Sequence, residues 1–245
     1  VGALGWVGLA ATTFGAAVLQ AAGGFGFAVV ATPLYLMLVA PAVAVHLVII
    51  IATALSLAVL PRLRHAIAPA LLMRLLLGSG FGMPLGLVAF RYGDPHQLRI
   101  AAGMTVLGFA LLLARQQWRR SGPAPIVASR GRDLTAGIVS GAATALVGMA
   151  GPPVLIYLLL AGAASQLIRA TLLAFFALVY SATLAAHAAT VGVPEQTWVM
   201  AAAMLPFALF GGLVGRPLGD RLGAAAFTRF AIGLLAIAGL LALFV

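Results

Sequence analysis

Side-chain chemistry has little to work with in this 245-residue chain: four acids, four histidines, fourteen arginines, no lysine and no cysteine. The acids Asp94, Asp133, Glu195 and Asp220 fall at the ends of apolar runs or between them. Ionisable groups inside a membrane segment mark ion and proton paths. A carboxylate proton relay or a carboxylate cation site is therefore not expected. The histidines His46, His65, His96 and His187 are scattered, and a nucleophile–base pair or metal-ligand set is poorly supplied. Without cysteine there are no disulfides, thiolate metal sites or thiol catalysis. The expectation is a non-enzyme with no cofactor and no metal.

The backbone can supply what the side chains do not. "GGFGFAVVATP" (23–33) and "LVGMAGPPVLIYLLLAG" (146–162) place glycine and proline inside apolar runs. Both residues are poor in a helix interior. A helix broken there frees N–H groups at the start of its second part, where the helix dipole adds partial positive charge. That is an anion site needing no charged side chain. The expected substrate-binding residues at the first break are Gln20, Gly24, Phe25, Gly26, Phe27 and Thr32. At the second they are Gly148, Met149, Gly151 and Pro152. His46 and Thr53 share one helix face, with Ser56 one turn on, and both are added as anion ligands. Arg169 is either an inner-end anchor or an electrostatic attractor of substrate, and Thr171 a donor to an oxyanion. His187 reads as interfacial, Arg74 as snorkelling to the membrane surface, and Tyr35 and Tyr157 as packing residues.

The elements that position these residues follow from hydropathy. The chain is 64% hydrophobic and 7% charged, far below the charge of a soluble domain. Apolar segments lie at 4–22, 26–40, 42–60, 69–89, 97–115, 133–150, 152–163, 166–190, 197–215 and 227–245. Most suit a bilayer-spanning helix, and the two that follow the breaks are too short to span. The expected fold is an all-α polytopic membrane protein of two inverted repeats, five helical segments each, with a half-helix near the start of each. Residues 1–115 form the first repeat, 116–132 a basic cytoplasmic linker, and 133–245 the second repeat. Gly82 and Gly86 correspond to Gly211 and Gly215, and Arg99 and Gly103 to Arg229 and Gly233.

Charge sets the orientation. "PRLRH" (61–65), the linker and "RPLGDR" (216–221) are basic and read as cytoplasmic, while "GVPEQT" (192–197) has no base and reads as external. The loop "RYGDPHQLR" (91–99) carries two arginines yet must be external. The net charge of +10 is thus an orientation signal, not a nucleic-acid surface. Opposed halves with broken helices are a transporter signature. The patterns "GSGFGMPLG" (78–86) and "FGGLVG" (210–215) fit packing between halves or a homodimer face. The expected partners are a small anionic solute and the lipid bilayer. The chain begins at Val1, and no native N-terminus is read from it.

The run "GGFGFAVVATPLYLML" and the stretch "GIVSGAATALVGMAGPPVLIYLLLAGAASQLIRATLLAFFALVYSATL" resemble the TauE/SafE family over nearly the whole chain. That resemblance implies a bacterial inner-membrane permease exporting sulfite or an organosulfonate such as sulfoacetate. Phe25, Phe27 and Met149-Ala150 are bulkier than the family pattern, which favours an organic anion with an apolar part. The alternatives are proton- or sodium-coupled anion uptake, or an anion channel.

Overall fold

The computed structural model describes residues 2–63, 67–118 and 129–221. Most of the linker, the last apolar segment and its Arg229 and Gly233 lie outside the described residues. Among those described there are nine helices: α1 (Ala3–Gly23), α2 (Phe27–Leu38), α3 (Pro41–Leu63), α4 (Pro69–Tyr92), α5 (Pro95–Trp118), α6 (Arg130–Val147), α7 (Gly151–Leu160), α8 (Ser165–Thr190) and α9 (Glu195–Arg221). Helix therefore takes in both ends of the segment read as the linker. Five helices, α1, α3, α4, α8 and α9, are long and apolar enough to cross a membrane by length and composition.

Local signals explain where helices start. Asp94 Oδ1 accepts from the Gln97 N–H at 2.7 Å while Gln97 Oε1 accepts from the Asp94 N–H at 3.3 Å. This is a reciprocal capping box with proline in the first turn, and it gives the only acid between α4 and α5 a structural task. Ser129 caps α6 by accepting from the Arg132 N–H.

Two hairpins follow from the two breaks. At the first, Gly24 has φ 81° and Gly26 φ 119°, a conformation open to glycine and costly for other residues. The chain reverses there, and α2 runs back along α1. Leu38 lies against Gly8, and the Tyr35 hydroxyl is 2.6 Å from Thr13 Oγ1. The Thr13 hydroxyl already donates to the Leu9 carbonyl, so Tyr35 is the donor. At the second break Gly148 has φ 74°, and α7 folds back along α6 in the same way. The Ser140 hydroxyl there donates to the Ala150 carbonyl, and the Tyr157 hydroxyl to Asp133 Oδ1. The two tyrosines read as packing residues are thus polar clasps on their hairpins.

Glycine seams join the long helices. Gly78, Gly82 and Gly86 of α4 lie on the backbone of α6 at Leu134, Ile138 and Ala142. Gly211 and Gly215 of α9 lie on the backbone of α1 at Phe14 and Val18. In lipid, where apolar burial drives little, such close approach is what gains packing contacts. These stripes are therefore contacts within the chain.

Candidate functional site

The breaks sit at different levels of the bundle. Helix α8 crosses both. Arg169, in its first turns, packs its aliphatic stem where a Cβ on Gly24 would stand, 2.8 Å from Cγ, and its Nη2 donates to the Ala21 carbonyl at 3.3 Å. About three turns further along the same face, Tyr180 reaches the second break. Its hydroxyl accepts from the Ala150 N–H at 3.2 Å and donates to the Gly148 carbonyl at 3.1 Å. Phe176, between them, lies against Gly151. Helix α3 meets the second break through Val45 and Val48, which line Gly148.

The expected residues distribute as follows. Gln20, Gly24, Phe25, Gly26 and Phe27 gather at the first turn-back, with Gln20, Phe25 and Phe27 buried. Arg169 joins them, so the break read as needing no charged side chain has a guanidinium beside it. Thr32 is buried in the middle of α2 and donates to the Val147 carbonyl at 3.3 Å, tying one hairpin to the other. Gly148, Met149, Gly151 and Pro152 are buried at the second turn-back. Thr53 returns its hydroxyl to Ile49 of its own helix at 2.7 Å. Thr171 is buried with its hydroxyl unpartnered. Two residues turn a helix by about 200°, so Thr171 faces away from Arg169.

His46 and His187 differ from expectation. His187 is fully buried rather than interfacial. Its Nε2 lies 2.9 Å from the Ala145 carbonyl, which can only accept, so Nε2 carries the proton. In the neutral ring Nδ1 then accepts, and it receives the Nε2–H of His46 at 3.0 Å. Phe90 packs on both rings, at 5.5 Å from His46 and 4.6 Å from His187. The pair is a directed chain ending on a backbone carbonyl, which holds α3 to α8 and to the end of α6. Among the described residues the chain ends on the Ala145 carbonyl at one end, and at the other His46 Nδ1 has no partner.

Arg74 and Asp133 also differ. Asp133 lies in the first turn of α6, as a helix-end residue should, but it is buried. Arg74 of α4 does not simply reach for the surface: its Nε pairs with Asp133 Oδ2, opposite the Tyr157 hydroxyl. Tyr180 and this triad went unread in the sequence. The available signals were a tyrosine on the Arg169 face of α8, and the one acid able to meet Arg74 once the glycine stripe set α4 on α6. Among the described residues no group of three or more His, Asp and Glu could hold a metal ion.

Apolar spans joined by glycine seams and interrupted by two buried hairpins define a multi-pass α-helical membrane protein. The model of the family described as Sulfite exporter TauE/SafE matches residues 9–242. The chain belongs to that family, one of membrane transporters. No curated protein and no solved structure matches it significantly.

Proposed function

We propose that this protein is an exporter of small anions, sulfite or an organosulfonate such as sulfoacetate, in the inner membrane of a bacterium. The observation that carries the reading is the first hairpin. There a short helix starts inside the protein at a glycine break, and an arginine is laid against that break. Helix N-termini favour anions, and discontinuous helices form the substrate sites of many transporters.

Alternating access needs two like halves of opposite orientation, and the packing supports that relation. Ile138 and Ala142, under Gly82 and Gly86, follow Phe14 and Val18, under Gly211 and Gly215, by the interval that separates Gly24 from Gly148. The first break meets α8 at Arg169, and the second meets α3 at Val45, again one such interval apart. His46 near the start of α3 meets His187 near the end of α8, so these corresponding helices run in opposite directions. Residues 1–115 and 133–245 are then the two repeats.

Efflux needs no coupling ion. Each negative charge leaving an inside-negative cell gains about 2.3 kcal/mol per 100 mV. In proteoliposomes with an imposed potential, sulfite should distribute with its concentration ratio shifted about 50-fold per charge per 100 mV. Saturable flux is expected, with no requirement for a sodium or proton gradient. A flux abolished by collapsing either gradient at fixed potential would establish coupled uptake instead. Unsaturable flux would favour a channel.

The histidine chain, which runs to a backbone carbonyl, adds a second expectation. His46→Gln with His187→Gln should leave the shape of the pH–flux profile unchanged once titration of sulfite itself is accounted for. A profile that flattens in the double variant would make the pair part of a coupling path.

A further inference from the structure

The two breaks are built alike but are not equally furnished. At the second, fewer amides are open, that of Gly151 being the one left among the first three residues of α7. The Ala150 N–H is taken by the Tyr180 hydroxyl, and Pro152 and Pro153 have no N–H to offer. At the first, the helix begins Phe27-Ala28-Val29, and each of these carries an amide. The first turn closes only with Val30 N donating to Gly26 O at 3.1 Å, so three N–H groups precede it without a helical carbonyl.

Side-chain volume differs as well. A Cβ on Gly151 would meet Phe176 Cζ at 3.0 Å. By the interval that relates the breaks, Gly151 and Phe176 correspond to Phe27 and Ala52. That is an exchange of large and small that conserves volume. Tyr180 corresponds to Ser56, and there a whole phenol is lost. Ser56 lies about three turns beyond Val45 on the same face of α3, as Tyr180 lies beyond Arg169 on α8. The reciprocal packing therefore directs Ser56 to the first break. Its hydroxyl is fully buried and has no partner. Charge follows the same division, since Arg169 at the first break corresponds to Val45 at the second.

We propose that the anion is held at one break only, by the amides of Phe27 to Val29, the Ser56 hydroxyl and the Arg169 guanidinium, while Tyr180 closes the other as a structural plug. This rests on the anion-export reading and narrows it. The ligand is an oxyanion head no larger than the phenol that fills the corresponding place in the second half.

The test uses the full chain in proteoliposomes, with sulfite and sulfoacetate as probes and half-saturating concentration as the readout. Ser56→Tyr builds the second break's plug into the first. It should raise half-saturation at least about tenfold, as loss of a charge-assisted hydrogen bond does. Arg169→Gln should do the same, and Arg169→Lys should recover part of the loss. Tyr180→Phe should lower thermal stability while leaving half-saturation within about twofold of wild type, because it frees a buried amide that does not touch the ligand. A folded Ser56→Tyr protein with wild-type half-saturation would overturn the single-site proposal. So would a Tyr180→Phe shift as large as that of Arg169→Gln. Should Ser56→Tyr fail to fold, the arginine series decides: equal half-saturation in wild type and Arg169→Gln overturns it. A wild-type protein showing no flux of either probe refutes the export reading itself.

Discussion

Gly82→Leu is expected to prevent stable folding. A Cβ at this position would stand against the Ile138 carbonyl, within the covalent chain of α6. Backbone cannot yield as a side chain end can, so the whole α4–α6 seam must separate. Overpacking a well-fitted contact costs about 1–3 kcal/mol, and a clash with rigid backbone belongs above that, at more than about 3 kcal/mol. Gly80→Leu is the control, because nothing lies within 4 Å of its Cβ position. It should be neutral or gain a few tenths of a kcal/mol from helix propensity. Thermal unfolding in detergent of the two variants checks this. Equal melting temperatures would mean that the seam does not hold the helices together.

Asp133→Ala should come next in severity, with a loss of about 2 kcal/mol. The change leaves the Tyr157 hydroxyl without its acceptor and Arg74 without its counter-ion. Breaking a fully buried ion pair costs more, about 3–5 kcal/mol. Arg74, however, is 33% exposed and regains part of its hydration. The discriminating variant is Asp133→Ala combined with Arg74→Met. It should be more stable than Asp133→Ala alone, since it removes the stranded charge along with its partner. If the double variant is the less stable of the two, Arg74 is held by packing and not by Asp133. The same triad ties the foot of the second hairpin to α4, so its loss should also loosen α7.

Much of the architecture was legible beforehand because lipid imposes a narrow choice. Backbone groups must bond within their own segment, so long apolar runs become helices, and among the described residues most of their ends fell within a few residues of expectation, α9 running six residues further. The short pieces that follow Gly23-Gly24 and begin at Pro152-Pro153 were legible for the same reason, since glycine and proline interrupt what nothing else would. The family resemblance rested on those runs, and the match over residues 9–242 bears it out.

Polar side chains were read less well. Arg74, Asp133 and His187 were assigned from their place near a helix end, as snorkelling, helix-end acid and interface residue, and Tyr157 as aromatic packing. Depth along one's own helix says nothing of which helix lies opposite. Arg74 meets Asp133 only because a glycine stripe lets α4 and α6 touch, and His187 meets His46 only because α3 and α8 run in opposite directions. Thr171 shows the converse, since sequence neighbours on a helix face apart.

By itself, then, the sequence determined that the chain is a bundle of membrane helices with two glycine-marked interruptions, because hydropathy and backbone breakage are local properties. Only the tertiary structure decided which amides at those interruptions are already taken, by Tyr180 at one, and where Arg169 delivers its charge. Those depend on contacts between residues far apart in the chain, whose partners no local pattern encodes.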